Sequence, residues 1–280
     1  MAALVGDSVG AVTDDAHPAA RPIDDPADGY FPESVAAGYD GPGGDSSPDV
    51  VTPAVDLLEE LADGGPALEL AIGTGRIAVP LAARGVRVGG IELSGAMAKR
   101  IAGKPGGQDV GVTIGDMTST RFDGFGDGVV PGDFSLAYLV FNTISNVTTQ
   151  DGQVDVFRNA SAHLRPGGLF LIEVGVPDLR RLPPGQDTVP FTVAPGEPGS
   201  GYVGFDRYDV ATQLFTSNHV TVTPDGAGKF MSIPFRYAWP AEMDLMARIA
   251  GLRLRDRWAG WDRSAFTADS TTHVSVWEKV

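Results

Sequence analysis

The residue types best suited to chemistry gather in one short stretch, Ala67-Leu-Glu-Leu-Ala-Ile-Gly-Thr-Gly-Arg-Ile-Ala-Val-Pro-Leu81. An apolar run of strand length meets a turn broken by Gly73 and Gly75, and a run of helical period follows with Ile77, Leu81 and Ala82 on one face. The two glycines permit positive φ and close approach of ligand atoms, while amides at the start of the helix lack intrahelical partners. This is a surface for a nucleotide-like ligand. The next strand, Val86-Arg-Val-Gly-Gly-Ile91, leads to Glu92, about 20 positions beyond the turn, where a carboxylate accepts hydrogen bonds from both hydroxyls of a ribose. With Ala78 at the third small position, the same spacing satisfies a loose dinucleotide fingerprint, so a nicotinamide-dependent oxidoreductase stays an alternative at this point.

Further polar residues fall just past the ends of later strands. Ser94 caps a helix whose inner face carries Met97 and Ile101, and the strand Val110-Gly-Val-Thr-Ile114 ends at Gly115-Asp-Met117. Asp116 suits acceptance from an adenine amino group and Met117 suits packing on the ring; a helix cap and a core residue are their competing roles. The strand Phe134–Val140 runs into Phe141-Asn-Thr-Ile-Ser-Asn146, at the edge where open α/β sheets bind ligands. Asn142 and Asn146 are the candidates there for orienting a substrate group. His163, near a helix C-terminus, and His219, in a strand, read as structural, with proton acceptance the alternative for His219.

The elements that must position these residues alternate. Thr52-Pro53 opens a helix ending at Gly64-Gly65, Gln153 to Leu164 forms another, and Arg165-Pro-Gly-Gly168 precedes the strand Leu169–Val174. Strand and helix repeat five times, which calls for a mostly parallel, Rossmann-like α/β sheet with helices on both faces. Beyond Val176 the pattern changes. Asp178 to Pro198 is rich in proline and charge, and the stretches 202–210, 213–222 and 229–237 alternate like antiparallel strands of a small β cap. Arg236, Tyr237 and Trp239 then shape either a substrate pocket, a dimer contact or aromatic core, and Trp239-Pro240 starts a last helix. The expected division is an acidic disordered leader (1–28), a nucleotide-binding core (29–176), an inserted cap (177–238), and a final helix and strands completing the sheet (239–280).

Composition narrows the partners. A net charge of −15 in 280 residues disfavours the phosphate backbone of nucleic acids. The chain has no cysteine, hence no thiolate metal site or cysteine nucleophile, and no metal-binding pattern is evident. The first 28 residues hold six aspartates against one arginine and lack the basic start and apolar core of a secretory signal. A cytoplasmic protein without a membrane partner is expected, with a homodimer through the cap.

Four motifs, in order and suitably spaced, carry a resemblance: Glu69-Leu-Ala-Ile-Gly-Thr-Gly-Arg76, Gly90-Ile-Glu-Leu-Ser94, Gly115-Asp-Met117 and His163-Leu-Arg-Pro-Gly-Gly168. From about Tyr39 to Val176 the chain resembles the class I S-adenosylmethionine-dependent methyltransferases, and from Gln150 to the end it is similar to members acting on small molecules. The resemblance implies a seven-stranded sheet with an antiparallel last strand, matched by the alternation at Thr272-His-Val-Ser-Val-Trp-Glu278. It implies S-adenosylmethionine as cofactor and methyl transfer to an N, O or C atom of a small molecule by in-line displacement. By the same resemblance Glu69 and the backbone at Ala71 and Gly73 line the methionine part, and Glu92 holds the ribose. Leu93, Met97, Asp116 and Met117 enclose the adenine, Val140 lies beside the sulfonium, and Tyr39 closes over it. One departure is Ala71, where the family usually has glycine; tighter contact at that wall is expected. A non-catalytic module binding the same cofactor is the remaining alternative.

Overall fold

A strand buried on both faces needs apolar side chains at nearly every position, and the sheet's central strands meet that demand. In the computed structural model, which describes residues 31–41, 47–126 and 128–280, β1 (Ala67–Leu70), β2 (Val88–Glu92) and β4 (Phe134–Leu139) are buried throughout. They lie in a seven-stranded sheet with β3 (Gly111–Ile114), β5 (Leu164–Gly175), β10 (Leu252–Trp258) and β11 (Thr272–Lys279), in the order β10-β11-β5-β4-β1-β2-β3. β1 to β5 run parallel; β11 is antiparallel to both its neighbours. The expected leader and most of the glycine-rich stretch before Ser47 lie outside the described residues.

Helices cover both faces, as the alternation predicts. α2 (Pro48–Ala62) and α3 (Ala78–Ala83) enclose one core layer with Leu58, Leu81 and Tyr138. α5 (Gln150–His163) and α6 (Pro240–Ile249) enclose the other, where Phe157 meets Phe170 and Trp277 edge-on at 5.1 and 5.2 Å. The short α1 (Glu33–Ala36) packs near α4 (Gly95–Ala102). No helix among the described residues is long and apolar enough to cross a membrane.

Several boundaries differ from expectation. α2 begins at Pro48 rather than at Thr52, because proline suits the first helical position; Pro53 then sits inside the helix, where its missing N–H leaves the carbonyl of exposed Asp49 without its usual bond. α5 begins three residues before Gln153, where the Thr149 hydroxyl accepts from the Gly152 N–H at 3.1 Å. Buried His163 is held by hydrogen bonds to Asn159 and Phe122 rather than by a charge at the helix end. Its Nδ1 lies 2.8 Å from the Asn159 carbonyl, its Nε2 accepts from the Phe122 N–H at 3.0 Å, and burial lowers its pKa.

Between β5 and α6 stands a separate antiparallel sheet, β6 (Thr188–Pro195), β7 (Gly201–Asp209), β8 (Leu214–Val222) and β9 (Gly228–Arg236). Three of its strands match the alternating stretches; β6 does not, since Pro190 and Pro195 interrupt it. It is an edge strand, where a missing N–H is tolerated.

A buried polar hub fastens the base of this sheet to the core. Arg236 donates to Glu242 Oε1 at 2.7 Å, to Gln153 Oε1 at 2.5 Å and to Gln213 Oε1 at 3.2 Å. Gln153 in turn donates to the carbonyls of Ile144 and Arg236, each at 3.1 Å. Of the roles open to Arg236, pocket, dimer contact or core, the structure shows the interior one: it is an internal tie. Arg236→Met leaves the half-buried Glu242 carboxylate without its cation, held only by the Gln150 and Gln213 amides, and should cost about 1–3 kcal/mol. Arg236→Met combined with Glu242→Leu should recover most of that loss, read as urea midpoints at unchanged m.

Candidate functional site

The site forms at the C-terminal ends of β1, β2 and β4, where backbone leaves the sheet in turns. After β1 the chain turns through Ala71 (φ 52°), Gly73 (φ 59°) and Gly75 (φ 74°). Gly75 cannot be replaced freely: a Cβ there would lie 3.0 Å from both Ile101 and Val79 at a φ that L side chains rarely adopt. Ala71 occupies the left-handed region without being glycine, which costs roughly 1–2 kcal/mol.

Glu92 at the end of β2 ties this turn down. Its Oε2 accepts from the Gly73 N–H at 2.7 Å and its Oε1 from the Ser94 N–H at 2.9 Å, and it is 6% exposed. Burial raises its pKa, and the backbone donors of Ser94, Gly73 and Leu93 oppose that rise. Ser94 also caps α4 through the Met97 N–H at 3.2 Å, which brings buried Met97 beneath the turn. A Cβ at Gly73 would lie 3.6 Å from the Met97 methyl.

Tyr39, Glu69, Ala71, Gly73 and Val140 line one cleft, as five of the sequence candidates. Ile72, Thr74, Arg76, Ile77, Phe141 and Thr143 complete its wall, and reading the sequence assigned no site role to Arg76, Phe141 or Thr143. Their signal was position just past a strand or turn. The Arg76 guanidinium carbon sits 3.2 Å from the centre of the Phe141 ring and 5.9 Å from that of Tyr39, a cation facing aromatic rings. Phe141 and Asn142 both have positive φ, 59° and 58°, and Glu173 from the end of β5 supports them by accepting the Phe141 N–H at 2.7 Å.

The remaining candidates sit around this cleft. Leu93 is 37% exposed beside Glu92. Asp116 is exposed and accepts the Thr118 N–H at 2.7 Å, while half-buried Met117 packs on the apolar layer of Leu70 and Ile91. The Gly115 N–H donates to the Glu92 carbonyl at 2.9 Å, joining this turn to the same edge. Asn142 spends its side-chain oxygen on the Gly175 N–H at 2.5 Å, and Asn146 ends the 3-10 turn Thr143–Asn146, half-buried and outside the cleft.

Glu69 is the least ordinary acid. Burial pushes its carboxyl from 4.5 to about 8, against the Tyr138 hydroxyl that donates to it at 3.1 Å and the positive charge of Arg76. The folded protein then holds a proton that the unfolded chain has released, so stability falls as pH rises from about 4.5 to about 8. Glu69→Gln should abolish that component, leaving the variant more stable than wild type above pH 8, read by denaturation across pH.

Comparisons with known proteins agree with this geometry. A family model described as a methyltransferase domain matches residues 67–168. The methyltransferase CcbJ from Streptomyces caelestis is 33% identical, with a TM-score of 0.75 over 88% of this chain and 96% of that one. CalS10, a SAM-bound amino pentose methyltransferase from Micromonospora echinaspora, is 21% identical, with a TM-score of 0.62 over 90% and 98%. The sugar N-methyltransferase KedS8 from Streptoalloteichus is 20% identical, with a TM-score of 0.56 over 85% and 90%. No curated protein matches the chain. The nicotinamide alternative is not favoured. With its glycine turn, its acid at the end of β2 and a relative that shares a third of its residues across nearly the whole fold, the chain belongs to the class I S-adenosylmethionine-dependent methyltransferases.

Proposed function

We propose that this enzyme moves the methyl group of S-adenosylmethionine to an amine nitrogen of a small molecule. The observation that carries the cofactor half is Glu92, whose two oxygens each take one backbone N–H and retain further lone pairs for a diol. The positive-φ glycines beside it leave room for close approach, so the residues present fit the cofactor. When bound, S-adenosylmethionine supplies a methyl already activated on a sulfonium.

The rest falls to this chain's residues. Glu92 holds the ribose, with Leu93, Met97, Asp116 and Met117 about the adenine; Glu69, Ala71 and Gly73 receive the methionine end, and Val140 borders the reacting carbon. Alignment of nucleophile and methyl, with exclusion of water, is the main catalytic contribution, worth up to roughly 7–11 kcal/mol in well-oriented systems. Asn142, fixed to Gly175, and Asn146 orient the acceptor's edge of the site through the loop they bound. The amine reading draws support from the fold relatives named for amino pentose and sugar N-methylation. The β cap walls the acceptor side, with Trp239, 41% exposed, beside Tyr237 at 6.3 Å. A cytoplasmic location, a homodimer across the cap sheet and no nucleic-acid partner belong to the same reading; the net charge of −15 supports the last.

Thermal unfolding with S-adenosylmethionine, S-adenosylhomocysteine and NADH in parallel tests the cofactor. Each adenosyl compound at about 100 times its Kd should add about 2.7 kcal/mol, and NADH nothing. Glu92→Ala should lose this stabilisation with the fold retained, and unchanged affinity would remove the ribose assignment. Mass spectrometry of amine, alcohol and carbon-acid acceptors then tests the substrate class. Products one methyl heavier from the amines support it, and products from the other classes alone overturn it.

A further inference from the structure

The segment 31–41 runs along the candidate site, and its attachments to the core are mostly polar. At one end the Phe31 carbonyl accepts from the Ser94 hydroxyl at 2.7 Å, beside the amide that holds Glu92. Next, Glu33 pairs with Arg100 of α4 at 2.9 Å. At the other end Tyr39 lines the cleft, set edge-on to Phe31 at 5.9 Å. Asp40 then closes the segment on the glycine turn. Its Oδ1 accepts from the Thr74 hydroxyl at 2.8 Å and its Oδ2 pairs with Lys104 at 2.9 Å, while Lys104 also donates to the Thr74 oxygen at 3.3 Å. The strap therefore reaches from the end of β2 to the end of β1, the two points that bracket the cofactor cleft.

The charges are sorted between the two sides. The strap contributes the carboxylates of Glu33 and Asp40; α4 and the residues after it contribute Arg100 and Lys104. Thr74, only 1% exposed, is the bridge through which Asp40 grips the turn itself. Burial pushes the Asp40 carboxyl up, but Lys104 and Thr74 outweigh it and hold it below its ordinary value. The junction is charged at neutral pH and partly open to water, so salt screens it.

We propose that Asp40, Thr74 and Lys104, with Glu33 and Arg100, form an electrostatic latch that holds the strap over the cofactor and sets the rate at which S-adenosylhomocysteine leaves. This rests on the reading that Glu92 and Glu69 mark the two ends of the bound cofactor. The latch residues are positioning residues: they act on the cofactor through the strap and the glycine turn.

The test is the dissociation rate of S-adenosylhomocysteine, displaced by excess S-adenosylmethionine in stopped flow at low and high salt. Wild-type release should accelerate with salt. Lys104→Met and Asp40→Asn should release about five-fold faster at low salt, with most of the salt dependence gone. Thr74→Ala should act in the same direction, and Lys104→Arg should restore retention. Lys99→Met, an exposed cation on α4 beside Arg100, should match wild type. Release rates and salt dependence equal to wild type in Lys104→Met and Asp40→Asn would overturn the latch. If Glu92→Ala abolishes binding while those two variants behave as wild type, the cofactor reading stands and the latch alone falls. If Glu92→Ala binds normally, the cofactor reading fails, and the salt dependence of Lys104→Met still decides whether the strap retains the ligand.

Discussion

The pair of hydrogen bonds from Gly73 and Ser94 to Glu92 is the constraint on which the rest of the site depends. One carboxylate fixes the turn after β1 and the start of α4 to the end of β2. The amides that satisfy it are backbone, so no donor side chain has to be ordered to hold the acid in place. Burial would by itself favour a neutral acid; the donors work against this. The glycine turn cannot move without breaking the same bonds, and Met97 beneath it is set by the cap that Ser94 provides. Binding geometry and local folding are thus one network.

The residues of that network, though not the hydrogen bonds between them, were legible in the sequence because their spacing is set by the βαβ unit. Gly73 and Glu92 are 19 residues apart, and a strand, a turn and a short helix always fill that interval. The parallel sheet followed from apolar runs of the right length, and the antiparallel β11 from the family resemblance. What escaped the reading depends on contacts between distant segments. β6 carries prolines that demote it locally and becomes a strand only because β7 lies beside it. The role of Arg236 stayed open between pocket, dimer contact and core because nothing near it in sequence reveals Gln153, 83 positions away, as its partner. Phe141 and Asn142 give no sign of positive φ; Glu173 and Gly175, on another strand, hold them there.

The two unusual acids divide the site by environment. Glu69 is wrapped by Tyr138 and apolar walls, and prefers a proton near neutrality until a cation arrives. Asp40 lies between Lys104 and Thr74 and stays ionised. A ligand in the cleft therefore meets the carboxyl of Glu69, whereas that of Asp40 is taken up by Thr74 and Lys104 at the strap. The strain stored at Ala71, Phe141 and Asn142 gathers at the same edge, where tertiary bonds outweigh local preference.

The placement of β11 between β5 and β10 bears on how the chain is made. Its register with β5 joins Gly175 to Thr272, about a hundred residues later, and the intervening cap sheet must be threaded out before the pairing can form. During synthesis, at roughly 5–20 residues per second, the apolar surface of Phe157 and Phe170 waits several seconds or more for Trp277 to cover it. The nascent core is sticky for that interval. The cap, whose four strands pair only with sequence neighbours, can mature meanwhile on the ribosome, so the appendage folds before the main sheet is closed.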